Sequence, residues 1–379
     1  MNSSKKILHI FDPAIISQST IELFENLDFN QRYVVISSQQ EKWENFTRKI
    51  NNIRLIDPKK QDIVSILMEE IKAADIIFAQ ALSYEKAKAI NQVKDTSKVF
   101  IWGLWGYGLY NFVNYIKKDS SFEDFKTNLE TNRGFINKIK EYYTFNYVYK
   151  KAIQKIDICL FLLESDFNLL GSVVKHNAQW RTACYQTMDN LIGGNKDFKI
   201  TGNSILLGNS STPSNRHKVV LEELKKVENL DRKVITPLNY GDQEYKKDIL
   251  EIGKNTVGVN FVPLTDFMPL EEYTSTIQDC SHVIMAHKRQ QGFGTIMTTL
   301  YGGAKLYLSE TSPFYSWLKK LGIAVYSIEN ELLAELKLEL TEELKASNKE
   351  IVSQYLSERS ILQKLKEVID ESIQISNNK

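Results

Sequence analysis

Short apolar runs alternate with stretches of helical periodicity along most of the chain. Runs of the strand type lie at Lys6–Phe11, Tyr33–Ile36, Ile53–Ile56, Asp75–Phe78, Lys98–Ile101 and Asp157–Leu163. Between several of them the apolar positions recur at helical spacing, as in Asp62–Lys72 and Tyr84–Val93. A second series follows at Asn203–Leu207, Lys233–Pro237, Val257–Phe261, His282–Ala286, Lys305–Leu308 and Ala324–Tyr326, with helical stretches His217–Val227, Tyr245–Ile252 and Leu270–Asp279 between them. Strands that alternate with helices of this length predict a parallel sheet covered on both faces, so the pattern predicts an α/β chain with two such sheets.

The polar, glycine-containing stretch Asn190–Lys196, with Gly202 soon after, separates the two series. The expected organisation is a Rossmann-like domain over 1–190, a linker over 191–203 and a second Rossmann-like domain over 204–345. Charged helices over 346–379 have the option of crossing back to the first domain. A chain of 379 residues is long enough for two such cores.

Composition narrows the class. Hydrophobic residues make up 42% and charged residues 25%, with a formal net charge of +1, so any electrostatic partner must be met by a local patch. The three cysteines, Cys159, Cys184 and Cys280, have no metal-ligand spacing and read as buried thiols of a reducing compartment. No run approaches 18 uninterrupted apolar residues, and the start of the chain is too short for a signal-peptide core, so a cytoplasmic location is expected.

The chemistry concentrates after three strands of the second series. His282–Ala286 runs into Lys288 and Arg289, then Gly292-Phe293-Gly294-Thr295, then a helix closed by Gly302-Gly303. Free N–H groups at a helix start, with two cations beside them, suit a diphosphate. A glycine pair alone also closes ordinary strand-helix units. Asn203–Leu207 is followed by Gly208-Asn209-Ser210 and, beyond Pro213, by Asn215, Arg216 and His217. Lys233–Pro237 is followed by Asn239-Tyr240-Gly241. Three such loops at strand ends of one domain point to a nucleotide-diphosphate site.

The order of these loops resembles the C-terminal domain of GT-B glycosyltransferases. The closer resemblance is to glycosyltransferase family 56, the 4-acetamido-4,6-dideoxygalactose (Fuc4NAc) transferases of enterobacterial common antigen synthesis. It rests on Leu207-Gly208-Asn209-Ser210 with Ser214-Asn215 and His217, on Arg289-Gln290-Gln291-Gly292 with Gly294-Thr295, and on Pro313-Phe314. Leu104-Trp105-Gly106 with Leu109-Tyr110 is similar to the family's Trp-Gly-x-Asp-Leu-Tyr motif, but Gly108 stands in the place of its Asp. Gln291 stands where many retaining GT-B enzymes carry Glu, which argues against that group.

The resemblance implies a GT-B fold and an inverting transfer from a dTDP-sugar to an undecaprenyl-diphosphate-linked saccharide. It implies nucleotide-sugar contacts at Gly208, Asn209, Ser210, Asn215, His217, Tyr240, Arg289, Gln290, Gln291, Gly292, Gly294 and Thr295; Trp105 and Tyr110 either line the acceptor side or pack in the core. No Asp-x-Asp pair occurs in the chain, so a metal-dependent GT-A mechanism is disfavoured and neither metal nor cofactor is expected.

An inverting transfer needs a base. Asp12, directly after the first strand, is the leading candidate, with a turn role before Pro13 as its alternative. Asp166 reads more readily as a helix cap and His9 as a core residue. Glu271 and Glu272 either reach a ribose or favour a helix dipole. The stretch from Arg133 to Lys155 carries six Lys or Arg, one Glu and six aromatics, which suits either an anionic inner-membrane surface or a helix with one buried aromatic face. A membrane-peripheral position on the inner face would follow from the first option. Nucleic acid is not an expected partner. A sugar-nucleotide epimerase and a non-catalytic nucleotide-sugar binder remain as alternatives. A Rossmann dehydrogenase is disfavoured, because Asp12-Pro13-Ala14-Ile15-Ile16 replaces the glycine turn.

Overall fold

A computed structural model describes residues 5–14, 16–50, 52–117, 135–266 and 268–379. The described residues form two compact units. Over the described residues, the first comprises 5–117, 135–186 and 358–379 and the second 187–357.

The first unit holds β1 (Lys6–Phe11), β2 (Asn30–Ile36), β3 (Ile53–Ile56), β4 (Ile76–Gln80), β5 (Val99–Gly103), β6 (Ile158–Leu160) and β7 (Gln179–Arg181). They form one sheet in the order β3-β2-β1-β4-β5-β6-β7, and every pairing is parallel. The central strands read as continuous apolar runs because helices cover both faces, so neither side chain row meets water. The last helix, Glu358–Asn378, belongs to this unit. Its Ile361, Leu365, Val368 and Ile369 recur at helical spacing and enter the same core as Ile7, Phe11 and Ile76. Each such burial contributes about 1.5–3 kcal/mol. Arg181 on β7 donates to both carboxylate oxygens of Glu371 on that helix.

The second unit holds β8 (Ser204–Leu207), β9 (Val234–Pro237), β10 (Phe261–Leu264), β11 (Cys280–Met285), β12 (Lys305–Leu308) and β13 (Val325–Ser327). Their order is β10-β9-β8-β11-β12-β13, again all parallel. The architecture is α/β with two parallel sheets.

Three strands depart from the sequence pattern. The strand expected at Val257–Phe261 starts only at Phe261, because the preceding helix continues to Val257 and Gly258, at φ 60°, terminates it. Val259 is accordingly exposed rather than sheet-bound. The expected strand Asp157–Leu163 is shortened to Ile158–Leu160, and the edge strand β7 carries too little apolar character to announce itself. The aromatic stretch is a helix, Phe135–Tyr143, that widens into a π-helical turn at Thr144–Tyr149.

Candidate functional site

The order of the second sheet explains why three loops meet. The chain leaves β8 for β9 and β10 on one side, then returns to β11 on the other. The loops after β9, β8 and β11 are therefore neighbours at the carboxyl edge, at a topological switch point of the kind that holds ligands in open α/β sheets.

The loop after β8 is organised from within. Asn215 is buried, and its Oδ1 accepts the backbone N–H of Asn209 at 3.0 Å. Its Nδ2 donates to the Ser210 carbonyl at 2.9 Å and to Thr212 Oγ1 at 2.8 Å. Asn215 thus shapes the loop rather than presenting itself to a ligand. Gly208 sits at φ 69°, and a Cβ there would lie 2.3 Å from His217 Nε2, so only glycine fits. His217 opens the helix His217–Leu224, is fully buried, and meets the Tyr245 hydroxyl at 3.2 Å through Nδ1.

The loop after β9 runs alongside. The backbone N–H and Oγ of Ser211 both donate to the Tyr240 carbonyl, at 2.8 and 2.7 Å. The Tyr240 ring is 56% exposed, with its hydroxyl 3.4 Å from Asn209 Nδ2.

The loop after β11 is tied to the first by one side chain. Gln291 Oε1 accepts from Ser214 Oγ at 2.7 Å and from Arg289 Nε at 2.9 Å. Its Nε2 donates to Asn209 Oδ1 at 3.0 Å and Thr212 Oγ1 at 3.1 Å. All four amide positions are occupied within the protein. Gly292, at φ 70°, is the N-cap of the helix Phe293–Gly302, and Thr295 in its first turn meets the Tyr273 hydroxyl at 3.2 Å. A Cβ on Gly294 would touch Leu191 at 3.2 Å.

The structure therefore brings all twelve expected nucleotide-sugar residues onto three adjoining loops or the helix turns that follow them. Asn215, His217 and Gln291 act within the protein in this arrangement. Asn209, Ser210, Tyr240, Arg289, Gln290, Gly292 and the first turn at Gly294 and Thr295 form the rest of the edge. Thr212 and His287 are not among the residues the sequence points to, while Ser214, part of the motif that carries the resemblance, is not expected as a contact. His287 lies under Gly292, its Nε2 3.4 Å from where a Cβ would stand. Burial, then the neighbouring Arg289 charge, pushes its pKa down to about 3, and burial does the same to His217. Both rings are neutral, so the positive charge at this edge comes from Lys288, Arg289 and Arg216, whose Nη1 donates to the Ala286 carbonyl at 3.4 Å.

In the first unit, Asp12 follows β1 and is 37% exposed at its side chain, with Oδ2 2.8 Å from Lys86 Nζ. Trp105 is half-buried, its ring 5.9 Å from Phe11 and 6.4 Å from Tyr185. Tyr110 is not where an acceptor residue would stand: it is buried, and its hydroxyl donates to Asp166 Oδ1. Asp166 in turn is not a helix cap. Leu163 occupies that position, and Asp166 points inward from the first turn of Glu164–Gly171. Burial pushes its pKa up to about 7, against the opposing pull of the Tyr110 hydrogen bond. His9 is a core residue, stacked among Phe24, Tyr33 and Phe78, bonded to Gln31 at 3.0 Å and held near pKa 3 by burial. Gly108 is exposed in the helix Tyr107–Lys117, with nothing within 4 Å of where a Cβ would stand. Glu271 and Glu272 lie in the first turn of Leu270–Gln278, the dipole-favoured place.

A family model described as 4-alpha-L-fucosyltransferase, glycosyl transferase group 56, matches residues 138–370. Among solved structures, the chain is similar to a glycosyltransferase from Rickettsia africae at 13% identity, covering 98% of this chain and 99% of that one, with a TM-score of 0.64. It is similar to HepE from Anabaena, solved in complex with UDP and glucose, at 10% identity over 97% and 100% of the two chains, with a TM-score of 0.67. Sucrose-phosphate synthase from Thermosynechococcus elongatus matches at 9% identity over 98% and 99%, with a TM-score of 0.64. At these identities the likeness is one of fold, and the fold is GT-B.

Proposed function

The chain belongs to glycosyl transferase group 56, and from that premise we propose that it moves a 4-acetamido-4,6-dideoxygalactose-type sugar from a dTDP donor to an undecaprenyl-diphosphate-linked saccharide, with inversion and without a metal ion. Sugar transfer is the activity of the family. The donor nucleotide, the acceptor and the stereochemistry are the proposal.

The observation that carries the donor half is the junction at Gln291. One amide fixes Asn209, Thr212, Ser214 and Arg289 relative to one another. Preorganised donors need no rearrangement as charge develops on a leaving diphosphate. In this reading Lys288, Arg289 and the N–H groups at Gly292–Thr295 receive that charge. An acceptor hydroxyl forms the new bond at the anomeric carbon, the bond to the diphosphate oxygen breaks, and Asp12 takes the hydroxyl proton.

A lipid-linked acceptor calls for a membrane surface, and the helix Phe135–Tyr143 with its π-helical extension is the segment we assign to it. Ile139, Tyr142, Tyr143 and Tyr147 are 53–55% exposed there. Beside them a groove of about 710 Å³ is lined by Lys88, Lys150 and Lys151 with Tyr143 and Tyr147. Arg133 and the side chain of Lys138 lie outside the described residues. No described helix is long and apolar enough to cross a membrane, so the contact would be interfacial, at the inner face of the bacterial inner membrane.

The deciding experiment is calorimetric titration with dTDP, UDP and GDP in EDTA, followed by donor turnover with and without lipid acceptor. Selective dTDP binding with acceptor-dependent turnover is expected. Selective UDP or GDP binding would overturn the donor, and donor conversion without acceptor would make the protein an epimerase.

A further inference from the structure

We propose that Lys86 is the positioning residue for Asp12: it anchors one carboxylate oxygen to the end of β4 and leaves the other oxygen for the acceptor hydroxyl. The inference rests on the reading of Asp12 as the base.

Lys86 lies in the helix Tyr84–Gln92, and its side chain is 0% exposed. Its Nζ donates to Asp12 Oδ2 at 2.8 Å, to the Gln80 carbonyl at 2.5 Å and to the Ala81 carbonyl at 3.1 Å. Those three bonds exhaust an ammonium group. Burial lowers the Lys86 pKa, and Asp12 opposes that shift by charge and hydrogen bond. A buried ammonium is costly unless its partners are well placed, and these partners come from two adjoining strand ends.

The backbone is bent to make this possible. Ile10 of β1 pairs with Ala79 of β4, so Asp12 and Ala81 stand two residues beyond the same register point. Ala81 adopts φ 54°, a left-handed conformation unfavourable for a residue with a Cβ, and its N–H is tied to the Gly103 carbonyl at 2.8 Å.

Two other buried lysines show what a purely structural lysine does here. Lys98 Nζ donates to the carbonyls of Lys72 and Ala74 and lies 3.7 Å from Asp95 Oδ2, and Lys305 Nζ donates to the carbonyls of Glu335 and Leu338 and to Glu335 Oε2 at 2.8 Å, so a carboxylate partner alone does not set Lys86 apart. Both stand at the amino edges of their sheets, just before β5 and at the start of β12. Lys86 stands at the carboxyl edge, where open α/β sheets place their ligands. Its carboxylate partner is partly exposed, and that carboxylate bonds through Oδ2 alone among the described residues.

The test compares Lys86→Met, Lys86→Gln and Asp12→Asn, read in two ways. The first is the crystallographic position of the Asp12 carboxylate in each variant, which needs no substrate. The second is kcat and the acceptor KM for transfer from dTDP-4-acetamido-4,6-dideoxygalactose. Removing the ammonium should release the Asp12 carboxylate from the end of β4 with the rest of the unit unchanged. It should lower kcat about 10- to 100-fold with dTDP affinity unchanged. Lys86→Gln keeps a donor to the β4 carbonyls without the charge, so it serves if Lys86→Met fails to fold. A carboxylate that stays in place, or an unchanged kcat, in a folded variant overturns the proposal. Wild-type turnover in Asp12→Asn instead removes Asp12 as the base, whatever Lys86 does.

Discussion

Gln291 Nε2 lies 3.0 Å from Asn209 Oδ1, a contact that joins residues 82 positions apart and locks the loop after β11 to the loop after β8. Because the same amide oxygen receives Ser214 and Arg289, the side chain works in both senses and no acid can replace it. Gln291→Glu turns the Nε2 donor into an acceptor facing Asn209 Oδ1. We expect a stability loss of about 1–3 kcal/mol, the cost of leaving such groups unpaired, and at least tenfold weaker nucleotide binding. Thermal unfolding and calorimetry check it; unchanged affinity would detach Gln291 from the site.

Glycine at the first loop has a different job. With φ at 69° and only 2.3 Å between a Cβ and His217 Nε2, Gly208→Ala must displace a buried ring. We expect a loss of about 2 kcal/mol or more from strain and clash together, and abolished nucleotide binding. Gly292→Ala shares the left-handed backbone but meets His287 Nε2 only at 3.4 Å, so it should cost about 1 kcal/mol. Denaturant titration ranks the two; equal losses would mean that the His217 contact is not what excludes the side chain.

Much of this was legible in the sequence, and the reasons differ by residue. Parallel strands covered on both faces announce themselves as apolar runs, so β1, β3, β8 and β12 fall where the pattern puts them. The three loops were legible because glycine, hydroxyl and cationic residues collect after strand ends. What one sequence could not reveal is which of those polar side chains face a ligand and which face one another. Asn215 and Gln291 carry the same amide chemistry as a sugar-binding residue, and only the fold shows it spent within the protein. Asp166 reads as a cap because Glu164-Ser165-Asp166 precedes apolar residues; its burial against Tyr110 depends on a helix that starts at residue 107, far away in sequence.

That burial makes a pH prediction. Asp166 has its folded pKa raised from 3.8 to about 7, so the native state binds a proton that the unfolded chain releases. Stability therefore falls as pH rises from about 4 to about 7, and the loss is complete above that. Its size is about 4–5 kcal/mol at most. Asp166→Asn keeps an oxygen for the Tyr110 hydroxyl and cannot ionise, so it should unfold at a higher temperature than the parent at pH 8 and at nearly the same temperature at pH 4. A variant that is less stable at both pH values would show that the carboxylate itself is required.

Gly108 is the position at which this chain departs from the family's tryptophan motif, and the fold says what restoring an acid there would do. The residue is exposed, lies in the first turn of the helix Tyr107–Lys117, and has open space where a Cβ would point. Replacing glycine in a helix gains up to about 1 kcal/mol, and an acid in the first turn gains about 0.3–1 kcal/mol more from the dipole. Gly108→Asp should therefore fold and melt higher. If the carboxylate that takes the proton is already in place at Asp12, held by Lys86, kcat should not change. A rise in kcat in Gly108→Asp, surviving the further change Asp12→Asn, would move the base to residue 108 and leave Asp12–Lys86 as a structural pair.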